Sequence, residues 1–410
     1  MTADRSEGAG RTRRYTVPFF FLYFFYYSAY CIFSSYTVLF LTELSYSAMI
    51  CGIITSVTFV SNLLMEPVGG YITDTFLTTR RYLLFCIGIL SALCLFCTRQ
   101  MRVPYLMLPA MVLASGLAYP FSQLMDAWVN ISRELDSRLV YSRIRAGGSI
   151  GFAIMSMAAG AYFKQNGWNG YFLVQLFLFL LMVPFLLCLP EPKLGNRRQK
   201  EKNVQEHSLS MPEALRVLLG NKSYLFCLTV TILYWFSHRP VGSYLSLIIS
   251  ERGGDAAVYG NVCGIGGVVE SVSLFLLAAF LRRKKTPPMQ CMAAALVTNL
   301  LRPLCLWLGN GIWPFYAGQM LQSVSFAFFL TSSVECFAKV SDERIRSLGI
   351  SLGLTVSSVA GTVLANLLGG GLCDCFGTRA LIRLSLTAAM STLFLFVFMK
   401  KRANFRCKIK

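Results

Sequence analysis

The chain has 410 residues, of which 55% are hydrophobic and only 14% are charged, and its mean hydropathy is +0.56. This composition excludes an ordinary soluble protein. The 14 cysteines are scattered singly through apolar stretches, which excludes a secreted protein built on disulfides. A net charge of +19 would suggest nucleic-acid binding in a soluble protein, but no basic patch is interleaved with aromatic residues on a polar face.

The chain contains twelve apolar stretches long enough to cross a bilayer, whose core requires about 20 apolar residues per helix. They lie near residues 16–42, 47–71, 82–98, 104–130, 141–163, 168–189, 222–249, 257–281, 288–308, 312–338, 346–371 and 379–400. The first stretch is too long for a cleavable signal and has no small-residue exit site, so we expect it to be retained. The sequence therefore predicts an all-α membrane protein with twelve transmembrane helices, numbered in this order below.

The basic residues predict the orientation of these helices. With the N-terminus placed inside, thirty of the 38 Lys and Arg residues fall on the cytoplasmic side and six fall outside, while Arg239 and Arg302 lie within helices. The positive-inside rule then places both termini in the cytoplasm. This topology explains the excess positive charge, so we predict no nucleic-acid partner and a multi-pass protein of the bacterial cytoplasmic membrane.

One long polar stretch, EPKLGNRRQKEKNVQEH, separates the twelve helices into two sets of six. It predicts an N-terminal bundle over residues 1–190, a cytoplasmic loop over 191–221 and a C-terminal bundle over 222–410. This layout is typical of secondary transporters built from two repeats, in which the substrate binds near mid-membrane. An intramembrane enzyme or a sensor is disfavoured, because the chain has neither a catalytic constellation nor an appended soluble domain.

Two short motifs resemble catalytic or metal sites but occur in predicted membrane helices. Residues 147–151 match G-x-S-x-G, which as a nucleophile elbow requires a strand-to-helix turn, so helix packing is the better interpretation. Cys94-x-x-Cys97 has no partner pair, and the two histidines, His207 and His238, cannot assemble a usual zinc site. We therefore predict no metal, no cofactor and no enzymatic activity.

Asp126 in helix 4 and Arg145 in helix 5 are charged residues within predicted spans, where an ionisable group is costly. They lie about ten residues before and about nine residues after the turn that joins the two helices, so an antiparallel hairpin places them at one level. One interpretation is a structural ion pair that offsets its own burial. The other is a binding site, because these groups can form bidentate hydrogen bonds to a hydroxylated or carboxylated solute.

A second charged group is predicted in the C-terminal half. His238 in helix 7 and Glu270 in helix 8 are equally far from the turn between them, and Arg302 in helix 9 lies slightly deeper. A carboxyl group between apolar surroundings and a cation can load and release a proton. His238 is either a packing residue or a second proton carrier. Pro240, which follows Arg239, predicts a kink or break in helix 7.

Gly70-Tyr-Ile-Thr-Asp74, followed by Arg80 and Arg81, resembles the conformational motif of the major facilitator superfamily. The stretches LMEPVGGYITD, MDAWVNISRELDSRLVYSRIRAGGSIGFAI and LGGGLCDCFG are similar to the lactose permease group and its relatives, the nucleoside and phenylpropionate proton symporters. The resemblance covers essentially the whole chain, and the helix 4 to 5 stretch is its most specific part.

The resemblance implies roles for individual residues. Asp126 and Arg145 fall where lactose permease keeps an acid and an arginine that contact the sugar, and Phe152 falls where it keeps a stacking tryptophan. Arg302 falls on the arginine of helix 9 that serves proton coupling. The histidine and glutamate of the family's helix 10 align with Gln322 and Ser325, neither of which titrates.

If the protein carries protons, another residue of the C-terminal half would therefore have to bind them. Glu270, in the pattern GNVCGIGGVVE, and His238 resemble the phenylpropionate-type relatives. This similarity favours Glu270, His238 and Arg302 as the proton-coupling residues.

The sequence thus predicts a proton-coupled symporter that imports a small polar solute, such as an oligosaccharide, another sugar or a nucleoside. The alternatives are an aromatic-acid symporter, an uncoupled facilitator, or a multidrug efflux antiporter, whose Gly-Pro-rich motif helix 5 lacks. The expected partners are the solute, protons and the lipid bilayer, and we expect a monomer.

Overall fold

The computed structural model describes residues 3–101, 103–135, 139–189, 211–283 and 286–402, and the regular structure in these ranges is helical. The helices are α1 Ala3–Ser35, α2 Thr37–Glu43, α3 Ala48–Thr75, α4 Thr79–Arg99, α5 Pro104–Ala118, α6 Phe121–Leu135, α7 Tyr141–Asn166, α8 Tyr171–Cys188, α9 Met211–Gly220, α10 Lys222–Ser243, α11 Leu245–Glu251, α12 Ala256–Arg283, α13 Pro288–Leu308, α14 Trp313–Val340, α15 Arg346–Phe376 and α16 Thr378–Arg402. Short 3₁₀ turns occur at Trp168–Gly170 and Glu343–Ile345.

The lengths and hydropathies of the helices agree with a membrane protein. In the described ranges, eleven helical segments are long and apolar enough to cross a bilayer. A twelfth span is obtained by joining Lys222–Ser243 to Pro212–Gly220, from which it is bent by 85°. The all-α membrane architecture predicted from the apolar stretches is thereby confirmed.

Three predicted spans are interrupted. The first is divided at Tyr36, the fourth at Tyr119 and Pro120, and the seventh at Tyr244. Pro120 has no backbone N–H to donate, which explains why α5 ends just before it. The helix does not break at Pro240, because α10 continues through Pro240 to Ser243, and the kink predicted as the other possibility stays a prediction. A proline removes only one helical hydrogen bond, and the helix around it is buried at His238 and Val241.

The predicted central loop also contains an unexpected helix, α9. Two of its residues four positions apart, Ala214 and Leu218, are buried in the same hydrophobic cluster as Ile345. The Asn221 side chain then accepts hydrogen bonds from the backbone N–H groups of Ser223 and Tyr224 and so caps α10. The polar residues around α9 concealed this short amphipathic pattern. Residues 190–210 of the predicted loop lie outside the described ranges.

The chain divides into two compact units. Unit 1 comprises Met1–Leu44, Val57–Val204 and Ala256–Gly264, and unit 2 comprises Ser45–Ser56, Gln205–Asp255 and Ile265–Lys410. The first turns of α3 therefore belong to unit 2, and the first turns of α12 belong to unit 1. The bundle boundaries drawn from the sequence stay a prediction.

Small residues allow close helix contacts within each unit. In unit 1, a Cβ atom on Gly264 would lie 2.8 Å from the Met157 side chain and 3.1 Å from the Ala153 carbonyl oxygen. In unit 2, a Cβ atom on Gly361 would lie 2.6 Å from both the Ile232 carbonyl oxygen and the Trp235 Cβ atom. These helices approach closely because no side chain separates them.

We expect Gly361→Ala to destabilise the protein, since the added methyl group must displace the backbone of α10. Overpacking of this kind costs about 1–3 kcal/mol. Gly88 on α4 is a matched control, because a Cβ atom there meets nothing within 4 Å. Gly88→Ala should be neutral or slightly stabilising. The measurement is the thermal midpoint of each purified variant in detergent, and equal midpoints for the two variants would contradict the close packing at Gly361.

Candidate functional site

The first part of the candidate site is positioned by the packing of α7 against α1 in unit 1. Gly147 and Gly151 of α7 lie against the backbone carbonyl groups of Phe20 and Phe24, where no Cβ atom would fit without a shift. These are glycines of the G-x-S-x-G match, so the motif serves helix packing, as predicted. The close approach places the next turn of α7 beside the tyrosines of α1.

Asp126 projects from α6 and is held by two tyrosines. The hydroxyl groups of Tyr23 and Tyr141 both donate to its Oδ1 atom, over 2.5 Å and 2.9 Å. Tyr23 is buried on α1, whereas Tyr141 begins α7 and is half-buried. The carboxylate thus has a fixed position, and its Oδ2 atom accepts no hydrogen bond within the described ranges.

Arg145 lies beside Tyr23 of α1, as Asp126 does, but it is not held by Asp126. Its Nη2 atom donates to the Tyr27 hydroxyl over 2.7 Å, and its Cζ atom lies 4.1 Å from the Tyr27 ring centroid and 5.9 Å from that of Tyr23. Among the described residues Arg145 and Asp126 form no ion pair. Tyrosine side chains therefore lie between the two opposite charges. This arrangement differs from the structural ion pair that was one interpretation of the sequence.

An aromatic surface continues from this group towards Phe152. The ring centroids of Tyr27 and Tyr30 are 5.8 Å apart, and those of Tyr30 and Phe152 are 6.5 Å apart. Tyr27, Tyr30, Phe152 and Arg145 are all half-buried, so part of each side chain remains accessible. Sequence reasoning missed the tyrosines, although positions 23, 27 and 30 recur at helical spacing on one face of α1.

The second part of the candidate site is a polar network around Arg302 in unit 2. Arg302 projects from α13 and is only 3% exposed. Its Nη2 atom donates to Gln319 Oε1 over 3.3 Å, and its Nη1 atom makes a long contact of 3.5 Å with the His238 carbonyl oxygen. Gln319 in turn donates to Gln322 over 2.9 Å. The amide of Gln319, which the sequence did not single out, thus connects the predicted arginine to α14.

His238 is buried beside this network, and its ring is packed against neighbouring side chains. Its Nδ1 atom lies 3.4 Å from Asn299 Oδ1, and its ring stacks on Tyr234 with a centroid distance of 5.6 Å and an interplanar angle of 12°. Asn299 also donates to the Ser237 hydroxyl over 2.7 Å. These contacts fit the packing interpretation, and a proton-carrying role for His238 stays a prediction.

Glu270 is half-buried on α12 and belongs to the same region. Glu270 and Arg302 both lie within electrostatic range of the Tyr234 hydroxyl, as does Arg239. One turn before Glu270, Gly266 packs directly against the Gln319 side chain. Glu270 thus lies within electrostatic range of the tyrosine on which His238 stacks, and the grouping of Glu270, His238 and Arg302 as a coupling site stays a prediction.

Gln322 and Ser325, which the sequence resemblance aligned with a titrating pair, make structural contacts. Gln322 accepts the hydrogen bond from Gln319, and the Ser325 hydroxyl donates to the Ala295 carbonyl oxygen over 2.8 Å. Neither side chain titrates. Glu270 supplies a carboxyl group in this region, and its role as a proton carrier stays a prediction.

The predicted conformational motif lies at the turn between α3 and α4. Gly70 and Asp74 are in the last turns of α3, and Arg80 and Arg81 are in the first turn of α4, which is capped by the Thr78 hydroxyl. A Cβ atom on Gly70 would meet nothing within 4 Å, whereas one on Gly69 would lie 3.2 Å from the Tyr82 hydroxyl. Packing within the structure thus explains Gly69 but not Gly70.

Comparisons with known proteins agree with this architecture. Residues 18–384 match the model described as the MFS_1 like family. A curated relative, an uncharacterized transporter named YwbF from Bacillus subtilis (strain 168), is 20% identical over 328 residues, which cover 79% of this chain and 77% of the relative.

Solved structures share the fold. The nucleoside transporter NupG superimposes with a TM-score of 0.79 at 15% identity, over 95% of this chain and 99% of NupG. A bacterial homologue of the iron transporter ferroportin gives a TM-score of 0.70 at 17% identity, over 94% and 98% of the two chains. An auto-inhibited peptide transporter of the POT family gives 0.71 at 10% identity, over 96% and 98%. At these identities the likeness establishes the fold alone.

Proposed function

This chain belongs to the MFS_1-like family, and from that premise we propose that it is a proton-coupled symporter that imports a small polar solute by alternating access. The chain is a multi-pass integral membrane protein with the fold of known transporters. Transport, rather than catalysis, is the activity of that family. The identity of the coupling ion and the identity of the solute are our proposals.

The observation that carries the proposal is the arrangement of Asp126 and Arg145. Opposite charges lie beside Tyr23 in unit 1, and each is oriented by tyrosines instead of neutralising the other. A carboxylate held in this way accepts hydrogen bonds from solute hydroxyl groups, while a guanidinium group donates to acceptor oxygens. Charge-assisted hydrogen bonds of this kind are stronger than neutral ones, which suits a site that must withdraw a polar solute from water.

The accessible aromatic rings beside the charges favour a solute with a ring. Tyr27, Tyr30 and Phe152 can stack on a sugar or a nucleobase, while Asp126 accepts hydrogen bonds from ring hydroxyl groups. We therefore propose an oligosaccharide or a nucleoside as the solute. An aromatic acid is the second candidate, since Arg145 can meet its carboxylate. Efflux of drugs by antiport is the weaker alternative.

Proton coupling is proposed to reside in the Arg302 network of unit 2. Glu270 would load a proton from outside, and the guanidinium group of Arg302 would favour its release inside by stabilising the carboxylate. Gln319, which accepts from Arg302 and donates to buried Gln322, supplies a neutral hydrogen-bond partner that would keep Arg302 in place in either protonation state of Glu270.

Uptake of labelled lactose, uridine and phenylpropionate by cells expressing the protein tests the proposal. We expect saturable uptake of one class above the vector control, and unlabelled members of that class should compete. Asp126→Asn should remove this uptake at equal protein level in the membrane. Uptake that is unchanged by Asp126→Asn would contradict the assigned binding site.

A further inference from the structure

A polar cleft opens at one end of unit 2, and none of the residues that line it belongs to the candidate site. It lies where α11 and α13 end and where α16 begins, and its volume is about 390 Å³. Glu251, Arg252, Trp307, Thr378 and Arg379 contribute to its lining. The charge count of the sequence assigns this end to the external side of the membrane. The volume falls within the range of small-molecule sites.

The first cation of the cleft, Arg252, is fixed by the end of α13. Its Nη1 atom donates to the Gly309 carbonyl oxygen over 3.0 Å and its Nη2 atom to the Leu306 carbonyl oxygen over 2.5 Å. Its Cζ atom lies 5.2 Å from the Phe315 ring centroid. Each of its terminal nitrogens carries a further N–H group, so the guanidinium group can donate additional hydrogen bonds from a rigid position.

The second cation, Arg379, lies at a position where its charge does not stabilise the helix that carries it. It lies in the first turn of α16, and a positive charge is unfavourable at a helix N-terminus. In the described ranges its guanidinium group has no hydrogen-bond or ion-pair partner. Burial lowers the pKa of Arg252, and repulsion from Arg379 lowers it further, whereas Glu251 acts in the opposite direction. The two cations are therefore close enough to repel each other.

Neighbouring charges leave the cleft positive. The Glu251 carboxylate accepts a hydrogen bond from the Thr378 hydroxyl. Arg383, one turn beyond Arg379, lies with its Cζ atom 5.0 Å from the Trp307 ring centroid. Three of the six basic residues that the charge count assigns to the external side thus gather at one cleft. Such clustering on a side that carries few basic residues requires an explanation other than topology.

We propose that this cleft binds the phosphate or carboxylate group of a small organic anion, with Arg252 and Arg379 as its ligands. An anion between the two guanidinium groups removes their repulsion and accepts bidentate hydrogen bonds from each. The space beside Trp307 accommodates an organic body as well as the charged group. The anion is either a soluble solute or the headgroup of a lipid in the external leaflet. The site does not depend on the proposed transport cycle.

Binding of two probes to the purified, delipidated protein tests this inference. Isothermal titration calorimetry with glycerol 3-phosphate examines a soluble anion, and dihexanoyl phosphatidylglycerol, compared with dihexanoyl phosphatidylcholine, examines a lipid headgroup. We expect Arg379→Gln to weaken binding of the anionic probe about tenfold or more. Arg379→Lys should retain part of the affinity. Arg99→Gln removes an exposed arginine from the same predicted side of unit 1 and serves as the matched control.

The outcomes separate the two sources of the anion. Binding of glycerol 3-phosphate that is sensitive to Arg379 indicates a soluble ligand, whereas equally sensitive binding of phosphatidylglycerol alone indicates a lipid. If neither probe binds, the proposal is overturned. It is also overturned if Arg99→Gln weakens binding as much as Arg379→Gln does, because the attraction would then be that of the general surface charge.

Discussion

Replacement of Glu270 by glutamine is expected to abolish uphill accumulation of the solute while exchange of bound solute continues. Glutamine keeps the size and hydrogen-bonding capacity of the protonated carboxyl group but cannot release a proton. A carrier fixed in this state can still reorient with solute on both sides. The measurement is uptake into proteoliposomes, first against an imposed pH gradient and then by exchange with internal solute.

Glu335→Gln provides the control for this experiment. Glu335 lies near the end of α14, four residues before Lys339 and outside the proposed coupling group, so its substitution should leave both activities within about twofold of wild type. Loss of exchange together with accumulation in a folded Glu270→Gln protein would mean that Glu270 binds the solute or holds the structure. Retained accumulation would exclude Glu270 as the proton carrier.

The second large effect is expected at the solute-binding group. Asp126→Asn removes the charge that accepts hydrogen bonds from the solute, and Arg145→Lys removes the planar, bidentate donor. Loss of a hydrogen bond to a charged group costs about 1.5–3 kcal/mol, which corresponds to an affinity about 10- to 100-fold weaker. Direct binding to the purified variants measures the effect without the complications of transport.

Two matched substitutions distinguish binding from general disturbance. Arg143→Lys changes an exposed arginine two residues from Arg145 and should leave the affinity unchanged. Tyr141→Phe removes one of the two donors to Asp126, and its effect should be smaller than that of Asp126→Asn, about 1 kcal/mol. Unchanged affinity in both Asp126→Asn and Arg145→Lys would show that the solute binds elsewhere.

The sequence predicted the parts of this architecture that depend on hydropathy and spacing. Twelve apolar stretches were enough to predict the membrane helices. The distances of Asp126 and Arg145 from the turn between their two helices predicted that these residues lie at one level. The short helix α9 was missed because the polar run before it was extended to Asn221, although its own residues, MPEALRVLLG, are mostly apolar. A break at Pro240 did not occur, because the loss of one N–H group is not sufficient to end a helix.

The partners of the charged residues could not be predicted. Neutral polar residues such as Gln319 and Asn299 do not differ in pattern from other residues of an amphipathic membrane helix. Which of them meets Arg302 depends on how three helices pack together. Tyr23 and Tyr27 had a visible spacing on α1, but an apolar, aromatic-rich helix gives no reason to pair them with Asp126 and Arg145. Tertiary packing supplied that information.

Proton uptake that accompanies solute entry is the most direct test of the central claim. External pH would be recorded in lightly buffered, de-energised cells while oligosaccharides, nucleosides and aromatic acids are added one class at a time. A symporter predicts alkalinisation with the transported class, which is absent from cells expressing Asp126→Ala. Uptake of labelled solute without any alkalinisation would identify a facilitator and would contradict the proton-coupling role of Glu270.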